Sequence, residues 1–111
     1  MAYEETLAWR IRAVLKGKRG ITERKMFGGV AFMLRGNMFV GVTANRLMAR
    51  VGPEKYERAL AARGAREMDF TGRPMRGYVF VDPAGIKSAA DLKRWVALCA
   101  DFAAKLPAKK K

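Results

Sequence analysis

Two arginines bracket a proline between glycines in Gly72-Arg73-Pro74-Met75-Arg76-Gly77, and a glycine pair follows Arg24-Lys25 at Gly28-Gly29. Guanidiniums are planar, permanently charged donors, so two of them beside a stiff proline suit bidentate capture of a phosphate or carboxylate. The same loop also reads as a solvated turn whose arginines keep it soluble. Arg24, Lys25, Arg46 and Arg50 occupy neighbouring segments and extend the basic surface. With Arg73 and Arg76 they form the candidate set for anion or nucleic-acid binding. Gly28-Gly29 is not followed by the helix start and further glycines of a phosphate loop or dinucleotide fingerprint, so a bulge or bend in a strand is the better reading.

Other chemistry is excluded by residue type. The chain has no histidine, which removes imidazole acid–base work, Ser-His-Asp and Cys-His nucleophile sets and histidine metal sites. One cysteine rules out a thiolate zinc cluster, and Cys99 falls on an apolar helical stripe as a small hydrophobe. Glu4, Glu5, Glu54 and Glu57 sit in helix turns where they complement the dipole, and Asp69 and Asp82 flank turns or strand ends. No catalytic, metal-binding or cofactor-binding residue is assigned, and the expectation is a protein that is not an enzyme.

The charge is lopsided: 23 Lys and Arg against 10 Asp and Glu give a net +13. The excess is spread along the chain, so the folded body itself is basic and draws polyanions, of which nucleic acid is the commonest. Half the 111 residues are hydrophobic, enough for one folded domain of modest core, and a homodimer would cover leftover apolar surface. A lone thiol fits a reducing compartment. Met1-Ala2-Tyr3-Glu4-Glu5 lacks the basic-then-apolar order of a signal peptide, and no apolar run nears the ~20 residues of a membrane span. A cytoplasmic protein without membrane association is expected.

Periodicity places the elements. Leu7, Ile11, Val14 and Leu15 form one stripe of a helix over 4–16, ended by Gly17 and Gly20, while Trp9 falls off the stripe and either flanks the core or marks a contact surface. Strands are expected over 26–34, 38–43 and 47–51, joined by tight turns at Arg35-Gly36-Asn37 and Ala44-Asn45-Arg46. Gly52-Pro53-Glu54 starts a short helix that ends at Gly64. A weak strand near 67–70 and a firm one over 77–81 follow. Ser88 then caps the longest apolar stripe, Leu92, Trp95, Val96, Cys99, Phe102, Ala103 and Leu106, with Asp91 placed to reach back in a capping box. The order α-β-β-β-α-β-β-α predicts an α+β two-layer sandwich, its helices on one face of a largely antiparallel sheet.

Three pieces are more specific: Met26-Phe27-Gly28-Gly29, Gly72-Arg73-Pro74-Met75-Arg76-Gly77-Tyr78, and the closing helix with Trp95. From first helix to last the chain resembles the N-terminal domain of the TfoX/Sxy-type competence regulators, a bacterial family. The resemblance implies secretion-chaperone-like topology and a role in regulating competence genes, where full-length members act with a transcription activator. It carries over no catalytic residues. Residues 1–106 correspond to that first domain and 107–111 to a basic tail, so a single-domain form is expected. The expected function is a regulatory or interaction domain that binds nucleic acid weakly and non-specifically or meets a regulatory protein. The alternatives are an anion- or ligand-binding domain using Arg73 and Arg76, or a homodimeric adaptor.

Overall fold

Apolar residues four and seven positions apart commit residues Glu5–Leu15 to helix α1, which buries Leu7, Ala8, Ile11 and Leu15. The computed structural model describes residues 5–26, 29–67 and 77–107. After α1 come four strands, β1 (Ile21–Met26), β2 (Gly29–Leu34), β3 (Asn37–Thr43) and β4 (Arg46–Arg50). A 3₁₀ turn at Pro53–Lys55 runs into the short helix α2 (Tyr56–Leu60), then β5 (Ala65–Glu67), β6 (Tyr78–Val81), a second 3₁₀ turn at Pro83–Gly85 and helix α3 (Ala89–Ala104). The strands form one six-stranded sheet in the order β1-β2-β3-β4-β6-β5, every pairing antiparallel. The fold is thus the α+β sandwich expected, with one strand more than the sequence suggested; β5 at Ala65–Glu67 lies earlier than the strand expected near 67–70, of which 68–70 lie outside the described residues.

That extra strand is β1. Its residues Thr22-Glu23-Arg24-Lys25 show no apolar alternation, because an edge strand pairs on one side only and tolerates charge. Met26 belongs to β1 and faces Gly29 of β2, so the expected single strand over 26–34 is two strands joined through residues 27–28. Of the expected bulge or bend at Gly28-Gly29, Gly28 lies outside the described residues, and Gly29 pairs in regular register with Met26. A Cβ there would stand 1.9 Å from the Val42 carbonyl oxygen, so only glycine admits this approach of β3. The sheet's irregularity lies instead where Phe32 faces Val40 but Met33 faces Met38. The unpaired residue, Phe39, turns fully into the core.

The helices lie on one face. Val30, Phe32, Leu34, Val40, Val42, Leu47, Ala49, Val79 and Val81 pack with the buried stripes of α1 and α3 into one cluster. Ser88 caps α3 by accepting from the Asp91 N–H at 3.0 Å, as expected, but the Asp91 carboxylate engages Arg94 at 3.2 Å rather than reaching back. Trp95 is in the core and Trp9, 66% exposed, is not. Asn37, expected in a turn, is a buried first residue of β3 whose Nδ2 donates to the Pro107 carbonyl at 2.9 Å. The opposite face carries a small cluster of Met48 and Phe80 with Tyr78 beside it. Among the described residues, no helix is long and apolar enough to cross a membrane.

Candidate polyanion interface

Side chains alternate along a strand, so the neighbours Arg24 and Lys25 must point to opposite faces of the sheet. Arg24 faces Ala31 across the ladder, and Ala31 in turn faces Gly41. Gly41 faces Met48, Met48 faces Phe80, and Phe80 faces Arg66. This row crosses the sheet on the side away from the helices, with an arginine at each end. Lys25 faces Val30, on the helix side. Arg46 falls on the outer face, its guanidinium 4.2 Å from the centroid of the Phe80 ring, a cation–π contact. Arg24 and Arg46 are three strand spacings apart and offset by two residues along the strands, about 16 Å in all. They cannot share one small anion, though both can meet a long one.

Arg50 is committed to the fold. Its guanidinium donates to the Met38 carbonyl at 3.2 Å and lies 5.5 Å from the Tyr78 ring and 5.3 Å from that of Phe102. Arg66, which sequence reasoning did not single out, is paired to the Asp82 carboxylate. The Arg73 and Arg76 loop lies outside the described residues. The four described candidates therefore do not form one stripe: Arg24 and Arg46 share the outer face, Lys25 is behind it and Arg50 packs against Tyr78 and Phe102.

A denser basic group stands at the corner where the α1–β1 connection meets the β2–β3 turn. Lys18, Arg19 and Arg35 line one cleft of about 390 Å³ with Gly20, Leu34 and α3, whose Asp101 is the one acid there. The Arg35 N–H donates to the Gly20 carbonyl at 2.9 Å and fixes the two loops together. Arg35 has φ 51° and Gly36 φ 85°, the consecutive positive values that a two-residue hairpin turn requires. Asn is the ordinary residue at such a first position; a long side chain pays about 1–2 kcal/mol for the left-handed conformation. A cation is thus kept where the backbone disfavours it. The sequence signal was Lys16-Gly17-Lys18-Arg19-Gly20, a basic run that reads as a helix end unless Arg35 is known to fold beside it.

The profile of the TfoX N-terminal domain matches residues 13–103. The chain belongs to the TfoX N-terminal domain family. No curated protein and no solved structure matches it significantly. The matched span of this TfoX N-terminal domain runs from the end of α1 through nearly all of α3, and so includes the basic corner and the outer sheet face.

Among the described residues of this TfoX N-terminal domain, Cys99 and Glu23 are the groups whose pKa is shifted. Cys99 is fully buried in α3, and burial pushes its thiol well above the ordinary range, against a smaller opposing effect from a hydrogen bond with the Arg50 backbone. Glu23 accepts two hydrogen bonds from Arg12 at 2.8 Å. Those bonds, and secondarily the Arg12 charge, lower its carboxyl pKa against the opposing cost of partial burial. Among the described residues, no group of three or more Cys, Asp or Glu stands together as a metal site. The arrangement presents fixed positive charge.

Proposed function

We propose that this chain is a non-enzymatic regulatory domain that binds nucleic acid weakly, through its phosphates and without reading base sequence. The observation that carries the proposal is the corner of Lys18, Arg19 and Arg35, where three cations from two loops line one cleft and Arg35 is held in a disfavoured conformation. Backbone strain retained at a polar surface residue is a pointer toward function. The net charge of +13 supports it, since a basic body concentrates polyanions around itself. Arg24 and Arg46 on the outer face give a second, sparser contact. Membership of a family of regulatory proteins supports the non-enzymatic part of the proposal.

Fluorescence anisotropy with a labelled DNA duplex and a scrambled one tests it across a salt series. Dissociation constants of about 10⁻⁴–10⁻⁶ M at physiological salt are expected for both, with log affinity falling linearly in log salt. Replacing Lys18, Arg19 and Arg35 together with Ala should flatten that slope by about 2–3, roughly 0.9 per lost phosphate contact. The control replaces exposed Lys87, Lys93 and Lys105, removing equal charge elsewhere. Equal losses in the two variants refute the corner as the contact, and no binding at low salt refutes the proposal as a whole.

A further inference from the structure

The helix layer leaves a groove between α2 and α3 of about 390 Å³. Its apolar floor is Ala59, Ala62, Trp95 and Leu98, with Lys55 and Arg58 on the α2 side and Arg94 on the α3 side. A second cleft of about 270 Å³ continues it, sharing Ala62, Arg94 and Trp95 and adding Arg63. The single acid of the combined lining is Asp91, already engaged with Arg94 at 3.2 Å. The floor is shallow because α2 is barely more than one turn and small alanines, Ala59 and Ala62, line it opposite the largely buried Trp95. Lys55, Arg58, Arg63 and Arg94 are all exposed.

We infer that this groove docks an acidic amphipathic helix of a partner protein. An apolar furrow with Lys55 and Arg58 along one wall and the Asp91-paired Arg94 on the other is the complement of a helix whose apolar stripe is flanked by carboxylates. A fatty carboxylate or similar amphiphile would match the floor but carries one charge, too few to meet Lys55, Arg58 and Arg63 together. Leucine-sized side chains of the partner seat on Ala59, Ala62 and Leu98 against Trp95, and its acids meet Arg58 on one wall and Arg94 on the other. Charge-assisted hydrogen bonds to arginine give such contacts direction as well as attraction. The groove shares no residue with the basic corner, so this inference stands apart from the nucleic-acid proposal.

The probe is a labelled peptide of about 15 residues, roughly four helical turns, with Leu on one face and Glu on its flanks. It is compared with versions carrying Ser for Leu or Lys for Glu. The Trp9→Phe background leaves Trp95 as the only indole, so binding is read by anisotropy and by a change in Trp95 emission. Arg58→Glu with Arg94→Glu should weaken binding about tenfold or more, a loss typical of interface arginines. Lys16→Glu with Lys87→Glu, an equal charge change away from the groove, should leave it within about twofold, as rim charges distant from a contact do. All of these replaced side chains except Trp9 are exposed cations, and a thermal melt of each variant confirms that the fold is kept. Failure of the Ser peptide to bind completes the support. Binding by the Ser peptide as tight as by the Leu peptide, equal losses in the two double variants, or an emission change with sodium dodecanoate but not with the Leu-Glu peptide each overturns the inference.

Discussion

Gly52 adopts φ 87°, and a Cβ built on it would stand 2.4 Å from the ring of Phe102. Two independent costs meet there: a left-handed backbone and an overpacked contact with an aromatic ring. Gly52→Ala should destabilise the domain by about 2–4 kcal/mol, read from the midpoint of a urea melt at unchanged slope. A loss under about 0.5 kcal/mol, the ordinary surface value, would mean that Phe102 moves aside at no cost. Phe102 also lies 5.3 Å from the Arg50 guanidinium, so the variant reports on the packing around Arg50. The sequence marked Gly52 as a helix start, but nothing in its neighbours reveals that a ring from α3 closes over it. Asn37 shows the same limit. As a residue type it suggests a turn, and its actual role depends on the Pro107 carbonyl, far along the chain.

Elements were legible where their apolar pattern was repeated and hidden where it was not. α3 was readable from its stripe and its serine cap because both are local signals. β1 was not, since its hydrogen bonds go to β2 and its side chains are charged. It is attached to the helix layer by Ile21, which packs against the core, and by an ion pair: Arg12 of α1 holds Glu23 of β1 at 2.8 Å, side chains 36% and 38% exposed. Because the Glu23 pKa is lowered from the model-peptide value of 4.5, the folded state favours the ionised form. The stability from this pair is therefore fully present above that value and lost as pH falls through the lower folded pKa. Glu23→Gln should cost up to about 1 kcal/mol at neutral pH and low salt, the ceiling for a solvent-screened pair. The difference between wild type and variant should close on acidification and shrink in high salt. A difference that survives both would show that Glu23 contributes through packing instead.

At the scale of the whole molecule, the excess of positive charge could be counted in the sequence but its geometry could not. Alternation alone sends Arg24 and Lys25 to opposite faces, yet that conclusion needs β1 to be a strand, and β1 has no apolar signature. The basic corner needs two loops to meet, a fact of tertiary structure. Under the proposed function this corner would also join stability to binding, since Arg35 and Ala44 are the described non-glycine residues with positive φ, both at 51° and both in hairpin turns. Ala44 has no charge to offer, whereas Arg35 lines the cleft with Lys18 and Arg19. Arg35→Asn and Ala44→Gly should each stabilise the domain, by up to about 1 kcal/mol, because each places a residue tolerant of the left-handed region where one is needed. Their effects on nucleic acid should diverge. Arg35→Asn weakens binding and lowers the salt slope by about 0.9, one phosphate contact, while Ala44→Gly leaves both unchanged. Thermal melts and anisotropy on the same two preparations measure the pair of effects. If Arg35→Asn stabilises the fold without weakening binding, the strain at this turn serves no contact with nucleic acid, and the corner loses its claim to be the interface.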